Sequence, residues 1–236
     1  MNVEIWSDIA CPWCYIGKRR FESALQRFEH ADQVEVQWRS FELDPAAPAV
    51  RPGGVVEHLA TKYGQTPAAA RAMVTNIEQV AAGEGLEFHM EDTAGGNTFD
   101  AHRLLHLARE RGRQVELKEA LLRAYFTDGQ PVSDRSALVD AAVDAGLDRA
   151  EVEAVLAGQE YAEAVRDDEA QAYALGISAV PFFVLDRKYG VPGAQPADVL
   201  LDALRRAWSE AHPLERIPVG PDTTDAGACD GDSCST

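Results

Sequence analysis

The chain has 236 residues, 46% of them hydrophobic, and its 39 acidic residues outnumber 22 basic ones for a net charge of −17. That balance repels phosphate backbones and anionic lipid, so nucleic acid and membrane surfaces are set aside as partners. No apolar run approaches the ~18 residues of a membrane span, and the length alone accommodates one or two domains. The opening MNVEIWSDIAC has no basic stretch, long apolar core or cleavage site, so a cytoplasmic setting is expected rather than a secretory leader.

Val3 to Ser7 reads as a short strand, with Val3, Ile5 and Trp6 and no breaker. After Cys11-Pro12-Trp13-Cys14, the residues Cys14, Gly17, Phe21, Leu25 and Phe28 fall near one helical stripe. Lys18, Arg19, Arg20, Glu22, Gln26 and Arg27 supply most of the polar face, and Pro12 suits the first helical position. Val34, Val36 and Trp38 then alternate with Glu35, Gln37 and Arg39 as a second strand.

From about residue 50 to 175 the pattern is almost continuously helical. The spacing predicts helices over Val55–Lys62, Pro67–Ala82, a segment capped by Asn97 and stopped at Gly112, Val115–Phe126, Ser136–Ala145, Arg149–Leu156 and Tyr161–Leu175. Gly83-Glu84-Gly85 and Gly95-Gly96 lack the strand-to-helix setting of a phosphate loop and read as turns. The chain returns to strand at Phe182-Phe183-Val184-Leu185, with a brief partner at Tyr189 to Val191. Pro196 and Asp198 open a last helix with Leu200, Leu204 and Trp208 on one stripe. The expected division is 1–48 and 176–212 as two halves of one α/β unit, 49–175 as a helical insertion, and 213–236 as a flexible tail.

Four cysteines lie two at each end with none between, which fits catalytic or metal chemistry better than a disulfide-stapled scaffold. Cys11 and Cys14 are about one helical turn apart. If Cys11 caps the helix, its free N–H groups and dipole favour a thiolate with a resolving thiol beside it. The competing reading, half of a zinc site, is disfavoured because zinc ribbons do not usually follow a strand and open a helix. Asp8 either tunes Cys11 or starts a turn. His102 and His106 share a helix face, but Arg103 stands where a zinc protease has glutamate, so packing is preferred and no metal is expected. Arg109, Arg111 and Arg113 near the Gly112 stop read as a solvated face.

The segments Ser7-Asp8-Ile9-Ala10-Cys11-Pro12-Trp13-Cys14-Tyr15-Ile16-Gly17, Asn97-Thr98-Phe99-Asp100-Ala101-His102-Arg103-Leu104 and Gly176-Ile177-Ser178-Ala179-Val180-Pro181-Phe182-Phe183 carry a resemblance. The chain resembles the DsbA-like thioredoxin superfamily, and more narrowly its FrnE-like branch. That branch is similar in fold to 2-hydroxychromene-2-carboxylate isomerases and kappa-class glutathione transferases. The likeness covers about residues 1 to 210.

The resemblance implies an α/β, thioredoxin-like fold with a large all-helical insertion. It makes Cys11 the attacking thiolate and Cys14 the resolving thiol of a thiol–disulfide oxidoreductase, an oxidase or isomerase of protein disulfides. It implies a cis Val180–Pro181 bond facing the pair, where an extended substrate segment could pair as an added strand. Pro12 and Trp13 join Val180 and Pro181 as substrate contacts, with Asn97 and His102 near the cleft. No cofactor is expected, and the partners are protein thiols and disulfides or a small thiol such as glutathione.

The isomerase and transferase relatives carry serine where Cys11 stands, so Cys11 turns the reading toward exchange. A glutathione-dependent small-molecule enzyme, one of polyketide-type biosynthesis, and a chaperone-like binder remain as alternatives. Cys229 and Cys234 form a C-x4-C pair in a Gly/Asp/Ser/Thr-rich tail. An auxiliary redox pair, helped by the FrnE-like resemblance, stands beside idle thiols and a metal site shared with Cys11 and Cys14.

Overall fold

A computed structural model of the chain describes residues 1–213 and, beyond them, the backbone of residues 229–230 and 233–234. Strand β1 (Asn2–Ser7) leads into helix α1 (Pro12–Gln26) and strand β2 (Glu35–Ser40). Helices α2 (Val55–Tyr63), α3 (Pro67–Gly83), α4 (Phe99–Glu110), α5 (Gln114–Phe126), α6 (Arg135–Asp144), α7 (Arg149–Ala157) and α8 (Ala162–Ala174) follow. Strands β3 (Phe182–Leu185) and β4 (Tyr189–Pro192) and helix α9 (Ala197–Ala211) close the α/β unit. In the tail, β5 (Cys229–Asp230) and β6 (Ser233–Cys234) pair antiparallel with Cys229 opposite Cys234, a pairing with no apolar pattern to announce it. The side chains of both cysteines lie outside the described residues.

The main sheet has the order β2-β1-β3-β4, with β1 parallel to β2 and antiparallel to β3. Alternation along β1 sends Val3 and Ile5 to one face and Trp6 to the other, all fully buried. Val3, Ile5, Trp38, Phe183 and Leu185 pack against Phe21 and Ala24 of α1 and Leu200, Leu201 and Leu204 of α9. Trp6 and Val184 pack against Ala172 of α8, Ile177 and Phe41 on the opposite face. Each such side chain contributes on the order of 1.5–3 kcal/mol by leaving water.

The helical block α2–α7 builds its own core, and Ile9, Tyr15 and Ile16 of the cysteine-bearing segment enter it. One face of α1 therefore packs on the sheet and another on the helical block. The fold is the expected α/β, thioredoxin-like architecture with a helical insertion. No helix among the described residues is long and apolar enough to cross a membrane.

Three local expectations change. Helix α1 stops at Gln26, so Phe28 stays buried from beyond the helix end. Lys18, expected in solvent, is buried because Glu119 of α5 reaches it from the helical block. The N-cap of α4 is Thr98, and Asn97 serves from one residue earlier: its side-chain oxygen accepts the Phe99 N–H at 2.9 Å.

Candidate active site

Cys11 has extended backbone (φ −98°, ψ 111°) and is the N-cap of α1, with Pro12 supplying the first helical residue. Its carbonyl accepts the Cys14 N–H at 3.0 Å, which begins the helix and sets the two cysteines on one turn. Both are thiols. Cys11 keeps 4% of its surface exposed and Cys14 none, so a reagent in solvent reaches Cys11 first. Trp13, 36% exposed, and the half-buried Pro12 flank Cys11 at the surface.

Burial pushes the Cys14 thiol well above its ordinary range, and the hydrogen bond and charge of Cys11 push the same way. The charge of Lys118 and a backbone hydrogen bond from Asp8 oppose them without prevailing. Cys14 is therefore held protonated at neutral pH.

The Val180–Pro181 peptide is cis. It brings the Val180 carbonyl oxygen 3.6 Å from the Cys11 sulfur. Pro181 is buried and Val180 half-buried, and the Pro181 carbonyl accepts the Gly193 N–H at 2.8 Å. Gly17 makes this approach feasible: a Cβ there would lie 2.9 Å from Pro181 Cγ. The glycine admits the proline ring against α1.

Asp8 organises the connection before the cysteines. Its Oδ1 accepts the Ile9 N–H at 2.7 Å and its Oδ2 the Leu43 N–H at 2.8 Å. His102 Nε2 lies 3.2 Å from Oδ1. Burial alone would raise the Asp8 carboxyl, but the hydrogen bond and charge of His102, with the Leu43 N–H and Thr98 hydroxyl, hold it below its ordinary value. An ionised carboxylate only accepts, so His102 donates from Nε2. His102 is thus a buried brace behind the cysteine loop, in keeping with the packing role expected of it.

Asn97 turns toward Glu42, with its Nδ2 donating at 3.3 Å, and toward the Pro45 carbonyl at 3.4 Å. His106 faces Ser40 Oγ at 3.1 Å and Asp168 at 3.3 Å, away from the Asp8–His102 pair. Among the described residues no group of three or more His, Cys, Asp or Glu side chains is placed to hold a metal.

Residues not expected from sequence lie on α5. Gln114 pairs with the edge of β2 through its side chain, which accepts the Trp38 N–H at 3.0 Å and donates to the Trp38 carbonyl at 2.9 Å. Glu119 receives Tyr15 Oη at 2.6 Å, Lys18 Nζ at 2.5 Å and the Arg19 guanidinium. Lys118, between them, is fully buried. The available signal was positional: Gln114 and Lys118 fall on the same stripe as Leu117, Leu121, Leu122 and Tyr125, where a helix buries its face.

A DSBA-like thioredoxin domain model matches residues 2–205. The chain is 52% identical to a probable DsbA oxidoreductase from Streptomyces coelicolor whose crystal structure superimposes with a TM-score of 0.87, covering 100% of this chain and 99% of that one. It is 28% identical over 207 residues to the uncharacterized protein YwbO of Bacillus subtilis, covering 86% of this chain and 96% of that protein. A 2-hydroxychromene-2-carboxylate isomerase shares the fold at 13% identity, with a TM-score of 0.66 over 92% of this chain and all of that one. The chain belongs to the DSBA-like thioredoxin domain family, and its activity is of the thiol–disulfide oxidoreductase kind.

Proposed function

We propose that the chain exchanges protein disulfides, as an oxidase or isomerase, through a Cys11/Cys14 couple. The observation that carries this reading is the N-capping Cys11, 4% exposed, with the fully buried Cys14 one turn behind and the Val180 carbonyl 3.6 Å from the Cys11 sulfur. The N-cap position sets Cys11 at the positive end of the α1 dipole, the setting of an attacking sulfur.

Reduction of a substrate disulfide begins with attack by Cys11, forming a mixed disulfide and releasing one substrate thiolate. Cys14 then attacks the Cys11 sulfur, expels the second thiolate and closes the Cys11–Cys14 bond, a two-electron oxidation of the protein. Oxidation of a substrate dithiol runs the same steps backward. Pro12, Trp13, Val180 and Pro181 are the proposed substrate contacts, and no cofactor takes part. A cytoplasmic setting, expected from the sequence, belongs to the same proposal.

Replacement separates the two roles. Cys11→Ser abolishes turnover, whereas Cys14→Ser accumulates mixed disulfides on Cys11. Refolding of a scrambled disulfide protein reads isomerase activity directly. Equal activity of Cys11→Ser and the unmodified chain would sink the reading and favour a binder of unfolded chains. The Cys229/Cys234 pair is proposed to relay electrons to the Cys11 centre. Cys229→Ser with Cys234→Ser then lowers turnover and leaves Cys11 alkylation unchanged, while full turnover would make both thiols idle.

A further inference from the structure

Helix α1 carries more than the cysteines. Past Cys14, Gly17 admits the Val180–Pro181 segment, since a Cβ there would meet Pro181 Cγ at 2.9 Å and Ala194 Cβ at 3.5 Å. Arg20, three residues on, stands one turn along the same face. Its Nη1 donates to the Ala194 carbonyl at 2.6 Å, and its Nε donates to Glu84 Oε1 at 2.6 Å. Glu84 caps the end of α3, so one half-buried guanidinium joins α1, the helical block and the loop after β4.

That loop is tied to the Cys11 site through its own backbone. Gly193, the neighbour of Ala194, donates its N–H to the Pro181 carbonyl at 2.8 Å. Gln195 closes the loop on itself: its N–H meets the Gly193 carbonyl at 2.9 Å and its Nε2 the Pro192 carbonyl at 2.8 Å. Residues 192–195 are thus one braced unit, and Arg20 fixes that unit, with Pro181, against α1. On the other side of Pro181, the Val180 carbonyl oxygen lies 3.6 Å from the Cys11 sulfur. A planar fork shared between a carboxylate and a backbone carbonyl sets distance and angle together, which a solvated surface ion pair does not.

We propose that Arg20 is a positioning residue for exchange on extended polypeptides: anchored by Glu84, it holds the 192–195 loop so that the Val180 carbonyl keeps its place beside the Cys11 sulfur. The proposal rests on the Cys11/Cys14 reading and adds a source of selectivity to it. An extended segment that aligns along Val180 needs that carbonyl in a set place, whereas a small disulfide needs only the Cys11 sulfur. Arg20 itself touches neither sulfur.

The test is stopped-flow capture, by the reduced full chain, of nitrothiobenzoate carried as a mixed disulfide on a short extended peptide or on cysteamine. Cys11 attacks the carrier sulfur, a disulfide joins Cys11 to the carrier, and nitrothiobenzoate leaves with its electron pair as a coloured thiolate. Arg20→Met keeps the apolar stem and removes the fork. The peptide concentration at half-saturation is expected to rise on the order of tenfold, the worth of one charge-assisted hydrogen bond, with the saturating rate unchanged. The cysteamine reagent is expected to react at its original rate, which also reports that the variant is folded. Arg20→Lys keeps stem and charge, but one ammonium does not reproduce the fork between Glu84 and the Ala194 carbonyl, so its half-saturation is expected to fall between the two. Equal slowing with both reagents, or no change with the peptide, overturns the proposal. Capture by the otherwise unmodified chain that survives Cys11→Ser overturns instead the couple on which it rests.

Discussion

Glu119→Gln tests whether α5 holds the cysteine helix by charge. The carboxylate takes the Tyr15 hydroxyl at 2.6 Å, Lys18 Nζ at 2.5 Å and the Arg19 guanidinium. Burial would raise its carboxyl, yet Arg19, Lys18 and Tyr15 together bring it from 4.5 down to about 2. That fall corresponds to roughly 3 kcal/mol, and solvent screening of a side chain left 30% exposed reduces it to about 2. Glutamine keeps the shape and loses the charge, so the variant is expected to be about 2 kcal/mol less stable at pH 7.

The sign is fixed by the direction of the shift. A depressed carboxyl adds stability that is complete above 4.5 and is lost as pH falls toward 2. Urea unfolding at pH 7, 4 and 2.5 and constant ionic strength should show the gap between the two proteins shrinking over that interval. A gap independent of pH, or none at pH 7, would refute the charge argument and leave Glu119 a packing residue.

Two further outcomes follow from the same packing. Lys118 is a base brought down from 10.5 to about 8. The buried ammonium therefore costs stability at pH 8 and below, and the cost fades as pH rises through 10.5. Lys118→Met should raise stability at neutral pH by about 3 kcal/mol, less at pH 10, and a lower thermal midpoint at pH 7 would contradict this. Gly17→Ala should cost about 1–3 kcal/mol, because its Cβ would meet Pro181 Cγ at 2.9 Å. The same change should slow capture of a disulfide by Cys11, measured under single-turnover conditions, and an unperturbed rate and stability would show that the loop yields freely.

The strands and most helices are written locally. Val3, Ile5 and Trp6 announce β1 by apolar content, and Gly64, Gly112 and Gly146, each at positive φ, end helices where the sequence places breaks. Cys11-Pro12-Trp13-Cys14 is legible for a similar reason: strand, cap, proline and stripe are contiguous. What escaped depends on partners far away in the chain. Lys18 reads as a solvent residue until Glu119, 101 positions later, arrives beside it. His102 is legible as a packing residue but not as the donor to Asp8, 94 positions earlier. Lys118 carries one faint sign, a charge on an apolar stripe, and its burial over the Trp38 ring follows only from the meeting of α5 with β2.

The most direct measurement follows the reduced protein through reaction with glutathione disulfide, quenched by acid and mapped by mass spectrometry at each cysteine. The account predicts a transient glutathione adduct on Cys11, replaced by a Cys11–Cys14 disulfide free of glutathione, with Cys14 never carrying the adduct. A lasting adduct on Cys11, or first capture at Cys14, would contradict the claim that these two residues form the exchanging couple.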